Sequence, residues 1–350
     1  MRGTAISIVC LLAAALPGTG VLPAGRHAVA LSDTGRVALD TTEPFLDGDP
    51  PDSLPMPSPP SVTKLVLREL TDAKAPTPSG PLTYIPILLY HYIRINPVAS
   101  DRVGFGLSTP PAMFREQMQY LADWEFHVIS LHEAVVAIEK HSPLPPKSVV
   151  LTFDDGYADF YTAAVPIMRQ HGFTATDFVI SGRMGLPSFM TASEVIAADH
   201  MGFDIGAHTV DHVALSWLAP ARALWEMKES KLTLESLLGH PVIDFAYPYG
   251  SFNSYDETEA RTLGFETALS TLSGTLHSAA QLMDLSRIRI GGGMSLAYFA
   301  RLVGGPTPTL AEVRVGTSPS PSPGPSSSPS LSPVAAMLTA GPKPIQFDAA

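Results

Sequence analysis

SVVLTFDDGY, residues Ser148–Tyr157, decides how the rest of the chain is read. After Ser148, the residues up to Phe153 are branched, aromatic or apolar and have the run of a strand buried on both faces, as in a parallel sheet. Two adjacent carboxylates, Asp154 and Asp155, end it, and Gly156 permits the tight turn that follows. Two like charges so close repel each other, and a cation beside them relieves that cost. Asp-Asp-Gly is also an ordinary turn sequence, so the segment needs partners before it means chemistry.

Working outward, the same grammar recurs. ILLYHYI, ATDFVIS, FDIGAHT, VIDFAYPYG and LSRIRI read as strands. PPAMFREQMQYLADWEF, AVPIMRQHGF, LAPARALWEMKESKLTLESLLGH and SYDETEARTLGF repeat apolar residues at three and four and read as helices. Strand followed by helix, several times over, predicts an α/β fold in which crossover helices join parallel strands, closed as a barrel or near-barrel. Chemistry in such folds gathers at the C-terminal ends of the strands.

FDIGAHTVDH, Phe203–His212, is a second strand ending in polar residues. His208 and His212 are four apart, a spacing that on a helical turn puts both imidazoles on one side. Two imidazoles and one carboxylate form a three-ligand set of the kind that holds catalytic zinc with a position left for water. Taken alone, a histidine pair at a partly exposed position is ordinary. DFAYPYGSFN, Asp244–Asn253, adds a turn in which Pro248 and Gly250 take the amide of Tyr249 out of the strand ladder, where it can serve an oxyanion.

The flanks differ in kind. Residues 1–30 carry Arg2, an apolar stretch Ala5–Leu16 and Ala28-Val29-Ala30, the layout of a cleaved secretory signal; the apolar run is short of the about 20 residues that span a bilayer. Cleavage removes the only cysteine, Cys10, leaving histidines and carboxylates as metal ligands. It also takes away two arginines and no acid, moving the formal charge from −11 to −13. That acidity argues against a nucleic-acid partner. Residues 31–83, with TTEPFLDGDPPDSLPMPSPP, read as a proline-rich linker in which KLVLREL stays unassigned. Residues 306–350, with TSPSPSPGPSSSPSLSP, read as a solvated proline-serine tail. The folded domain is expected at 84–305.

TFDDG, His-Thr-x-x-x-His and Tyr-Pro-Tyr-Gly, in this order on strand ends, resemble the polysaccharide deacetylase family, the NodB-like domain of carbohydrate esterase family four. The resemblance covers most of 84–305 and implies a distorted (β/α) barrel. It implies Asp154 as general base, and Asp155, His208 and His212 on a divalent metal, most simply Zn2+, with Co2+, Ni2+ or Fe2+ also suited to that donor set. It further implies that the Tyr249 amide serves the oxyanion and that the substrate is an N-acetylglucosamine-containing polysaccharide: peptidoglycan, poly-N-acetylglucosamine or chitin-like.

Two positions depart from the family pattern. Ala246 stands where an arginine orients the base; Arg287 or Arg289, alternating on LSRIRI and so facing one side, are the candidate replacements. The late Leu-x-His that supplies the general acid reads Leu285-Ser286-Arg287 here. Leu89-Tyr90-His91 on the first strand offers one instead. The secreted poly-N-acetylglucosamine deacetylase type has its motifs circularly permuted in this way, so His91 is expected to be the acid. The whole implies a secreted enzyme with no stable membrane span after signal cleavage, and leaves cell-wall association open. A non-catalytic carbohydrate-binding relative and an O-acetyl xylan esterase are the competing readings.

Overall fold

The computed structural model describes residues 78–308; the signal, KLVLREL, nearly all of the linker and the tail beyond Pro308 lie outside them. Ten strands are present among the described residues: β1 (Thr83–Tyr84), β2 (Ile87–Tyr90), β3 (His127–Val128), β4 (Ser148–Asp155), β5 (Thr176–Val179), β6 (Asp204–Ala207), β7 (Asp244–Ala246), β8 (Thr267–Ser273), β9 (Leu276–His277) and β10 (Leu285–Arg289). The helices are α1 (Arg102–Leu107), α2 (Pro111–Asp123), α3 (Leu131–Lys140), α4 (Val165–Arg169), α5 (Ala192–His200), α6 (Pro220–Leu238), α7 (Ser254–Thr262) and α8 (Leu296–Leu302).

Seven strands close on themselves in the order β2-β10-β8-β7-β6-β5-β4 and back to β2, every pairing parallel; β3 adds to the first two residues of β4. The expected barrel is therefore present, and its distortion is visible between β8 and β10. A turn of 3-10 helix, Ala279–Gln281, and the small antiparallel β1–β9 pair stand there instead of a crossover helix. Strand β2 lies between β10 and β4, with Leu88 opposite both Ile288 and Leu151.

All eight residues of β4 are buried, which explains its unbroken apolar run. Alternation splits them between two cores. Val149, Leu151 and Phe153 join the layer under the helices, whereas Val150 joins Ile87, Phe178, Ala246, Leu269 and Leu285 inside the barrel. Thr152 and Asp154 share the inward side with Val150 by the period of two. Phe153 anchors the outer layer against Tyr90, Phe114 and Phe160, with ring centroids 5.1, 5.9 and 4.9 Å away.

Helices α3 and α5 and strand β8 lie outside the alternation read from the sequence. Both helices begin at capping boxes, Ser130 with Glu133 and Thr191 with Glu194, a local signal that precedes any packing. Strand β8, TALSTLS, is half hydroxylated, and burial between β7 and β10 makes it a strand where composition does not. The helical reading of AVPIMRQHGF holds only from Val165. Pro166 has no N–H for the carbonyl of Thr162, and the preceding residues Phe160–Ala164 widen to a π-helix in which Val165 N–H bonds the carbonyl of Phe160.

Candidate active site

Strand β4 delivers Asp154 into the barrel interior, and β10 delivers Arg287 to meet it. The guanidinium holds both carboxylate oxygens, Nη1 to Oδ1 and Nη2 to Oδ2, each at 2.7 Å. Nη1 also reaches Thr152 Oγ1 at 3.2 Å, and Nε donates to the Ser270 carbonyl at 2.9 Å. Arg287 is 1 % exposed and Asp154 2 %, so the pair is desolvated and its geometry is fixed by four hydrogen bonds. Burial by itself raises the Asp154 carboxyl; Arg287, with His208 and His91 behind it, outweighs that and holds the group below its ordinary value.

This settles which arginine faces Asp154. Arg287, not Arg289, contacts Asp154, and Ala246 lies in the same interior cluster from β7. An arginine at position 246 would enter the barrel from that side. Here the guanidinium enters from β10, and the methyl of Ala246 leaves it space.

The metal-ligand candidates converge at the ends of β4 and β6. His208 Nε2 lies 3.4 Å and His212 Nε2 3.2 Å from Asp155 Oδ1, and one ligand atom from each residue falls within 4.8 Å of the others. His208 and His212 do not share a helical turn. The stretch after β6 is a loop in which Thr209 (φ 64°) and His212 (φ 58°) are left-handed, and this reversal brings the second imidazole back to the first. Asp155 (φ 84°) and Tyr249 (φ 60°) are left-handed too, so backbone strain concentrates around this site.

The site fits a divalent ion. Asp155 Oδ1 and His212 Nε2 are buried and make no hydrogen bond, which is costly for groups with nothing to bind. The opposite ring nitrogens are occupied: His208 Nδ1 bonds the Ala246 carbonyl at 2.7 Å, and His212 Nδ1 the Tyr249 hydroxyl at 3.0 Å. With the protons assigned to Nδ1, both Nε2 lone pairs face Asp155. Burial raises Asp155 as it does Asp154, but His212 and His208 beside it hold the carboxyl well below the usual range. Burial pulls His208 down, and the Asp155 carboxylate reverses this and raises it.

Buried Glu226 on α6 braces the histidine loop. Its Oε2 accepts from the amides of Val210 and Asp211 at 2.9 and 3.0 Å, while Oε1 pairs with Arg222 at 2.6 Å. Nothing in the sequence marks this residue except its place one helix after the histidines.

His91 lies one residue beyond the Tyr90–Phe153 pair, level with Asp154, and is 2 % exposed. It is close enough for its charge to lower both Asp154 and Asp155. Tyr249 enters the site by its hydroxyl, a contact that sequence reasoning missed although Tyr-Pro-Tyr-Gly carried the residue. Tyr249→Phe removes the partner of His212 Nδ1 and will weaken metal affinity by about 10–100-fold, measured by competition with a chromophoric chelator. Tyr92 and Tyr157, their rings stacked at 3.7 Å, also border Asp155.

A family model described as polysaccharide deacetylase matches residues 141–268, which include Asp154, Asp155, His208, His212 and Tyr249. YxkH of Bacillus subtilis (strain 168) is 28% identical over 219 residues, 63% of this chain and 76% of that protein. The poly-beta-1,6-N-acetyl-D-glucosamine N-deacetylase of Escherichia coli (strain K12) is 25% identical over 242 residues, 56% of this chain and only 36% of that protein. Among solved structures, the Streptococcus pyogenes deacetylase PplD in complex with acetate is 31% identical with a TM-score of 0.60, covering 64% of this chain and 99% of that one. With an almost complete relative matched at that identity, and with the barrel and its strand-end carboxylates and histidines in place, the chain belongs to the polysaccharide deacetylase family.

Proposed function

We propose that this protein is a secreted, metal-dependent hydrolase that removes N-acetyl groups from an N-acetylglucosamine-containing polysaccharide. The observation that carries the reading is the coexistence of a carboxylate clamped by a guanidinium, Asp154 with Arg287, and a neighbouring three-ligand set with unsatisfied buried donor atoms. A protein that only binds glycan has no use for a base held beside its metal ligands. The E. coli relative, by its name, removes acetyl groups from such a polymer.

Asp155, His208 and His212 would hold the ion, with zinc best matched to one carboxylate and two imidazoles. When bound it supplies Lewis acidity toward the acetyl carbonyl and a more acidic water. Asp154 takes a proton from the attacking water as the new C–O bond forms. The amide of Tyr249 donates to the carbonyl oxygen as negative charge builds there. His91 gives a proton to the departing nitrogen as the C–N bond breaks, leaving acetate and a free amine on the sugar.

In this reading residues 1–30 are the signal peptide, 31–83 the linker, 84–305 the catalytic domain and 306–350 the tail. Among the described residues no helix is long and apolar enough to cross a membrane.

The test is acetate release by metal-loaded protein from chitin oligomers, poly-N-acetylglucosamine and peptidoglycan. Release is expected from at least one, lost on chelation and restored by added metal. No release from any of them, with glycan binding intact, overturns the enzyme reading in favour of a binding protein. His91→Ala will lower kcat by about 10²–10⁴-fold at unchanged metal affinity. Full activity in that variant assigns the acid elsewhere.

A further inference from the structure

The reaction makes no use of Gly291-Gly292-Gly293-Met294-Ser295, the stretch that follows β10, nor of Arg289. Both border a cleft of about 520 Å3 at the C-terminal ends of β8 and β10, the end of the barrel where Asp154 and Asp155 lie. Arg289 stands two residues beyond Arg287 on the same side of β10, one step nearer the mouth.

The floor of this cleft has to be glycine. A Cβ on Gly291 would meet the Gly106 carbonyl oxygen at 1.9 Å, and one on Gly292 the Phe105 carbonyl oxygen at 2.1 Å, so helix α1 packs directly onto the loop backbone. Gly293 follows in a left-handed conformation, φ 75°. Backbone amides left without an acceptor in a concavity are suited to anions. Among the described residues, the amides of Gly292 and Gly293 donate to no backbone acceptor. The wall is completed by Tyr298, 43% exposed, with the Arg301 guanidinium 5.1 Å from its ring. In a chain with 33 acidic and 22 basic residues, this cleft is lined by two arginines and no carboxylate.

We propose that this cleft is a subsite for an anionic substituent, a carboxylate or a phosphate, on a sugar next to the one being deacetylated. Arg289 and Arg301 supply the charge and the glycine amides the hydrogen bonds, while the Tyr298 ring offers the pyranose an apolar face. The inference rests on the deacetylase reading for the identity of the neighbouring sugar; the anion site itself rests on the cleft.

The experiment uses the full metal-loaded chain and three oligosaccharides of equal length. One is a neutral β-linked N-acetylglucosamine oligomer, one alternates that sugar with a lactyl-carboxylate-bearing hexosamine, and one carries 6-phosphates. Arg301→Gln, at an exposed position, will raise KM for an anionic oligosaccharide by about tenfold, with kcat within about twofold and the neutral oligomer unaffected. Which anionic oligomer loses more names the source of the charge. Added salt will shrink the difference. An equal effect on neutral and anionic oligomers, or none on either, overturns the proposal. Should the wild type release acetate from none of the three, the deacetylase reading fails; equilibrium binding of the same oligomers to wild type and Arg301→Gln then decides the anion site, and equal affinities sink it. Arg289→Gln serves as the second variant and is expected to move KM in the same direction.

Discussion

Replacing Asp154 by asparagine will lower kcat for acetate release by about 10²–10⁴-fold, the range that a positioned general base contributes. The substitution keeps shape and volume, so substrate access stays as it was. What it removes is the ability to accept a proton. Metal affinity is expected to change little, because Asp154 is engaged by Arg287 on both oxygens and is not one of the three converging ligands. Comparing kcat with a metal titration therefore separates a lost base from a lost ion. A variant that keeps more than half of the wild-type kcat at saturating metal excludes Asp154 as the base.

The second large effect falls on Arg287. Arg287→Met leaves the Asp154 carboxylate buried without its opposite charge, and breaking such a pair by removing one partner costs about 3–5 kcal/mol of stability. Chemical denaturation at pH 7 measures this directly. The pH dependence gives an independent sign. In the wild type the folded Asp154 is held below its ordinary value, so the pair's stabilisation is present above the unfolded carboxylate pKa and disappears as pH falls through the folded one. In the variant the largest counterweight to burial is gone, the carboxyl moves up, and the stability deficit will shrink on acidification from pH 7. Asp154→Asn combined with Arg287→Met removes both charges and will recover part of the loss, the mark of a direct interaction in a double-mutant cycle. Additive effects of the two substitutions would show that Arg287 acts through general packing.

The two effects are linked by the same geometry. A base works when its carboxylate is ionised, oriented and dry, and the four hydrogen bonds of Arg287 supply all three conditions to Asp154 at once. The neighbouring carboxylate is handled differently: Asp155, at a left-handed backbone position, turns away toward the two histidines. The adjacent aspartates thus turn to different partners, Asp154 to the guanidinium and Asp155 to the histidine pair.

Much of this was legible in the residues. The continuous run of strand-forming residues in SVVLTFDD, the glycine and proline turns after strands and the helical runs between them are short-range signals, and they pointed to a parallel barrel with polar strand ends. The spacing of His208 and His212 picked out a pair that does meet beside Asp155, by an argument that assumed the wrong conformation: a helical turn was expected, and two left-handed residues make the reversal instead. Both geometries turn the chain back within four residues, which is why the residues could be chosen without the backbone being known. By contrast, β8 was passed over because hydroxylated residues carry no strand signal until neighbours bury them.

What sequence alone left open was every contact made across the barrel. Arg287 and Arg289 alternate identically on one strand, and nothing local separates them. Strand order and stagger put β10 beside β2 and send Arg287 across the interior to β4, with Arg289 one step higher at the mouth. His91 comes level with Asp154 for the same reason, since closure places β2 directly against β4. Tyr249 on His212, Glu226 under the histidine loop and the Gly291–Gly293 floor against helix α1 are likewise meetings of segments distant in sequence. Local sequence determined which strand ends carry chemistry, because side-chain period and turn chemistry act within a few residues. Only the tertiary structure decided which groups face one another, because that depends on the stagger at which seven strands close.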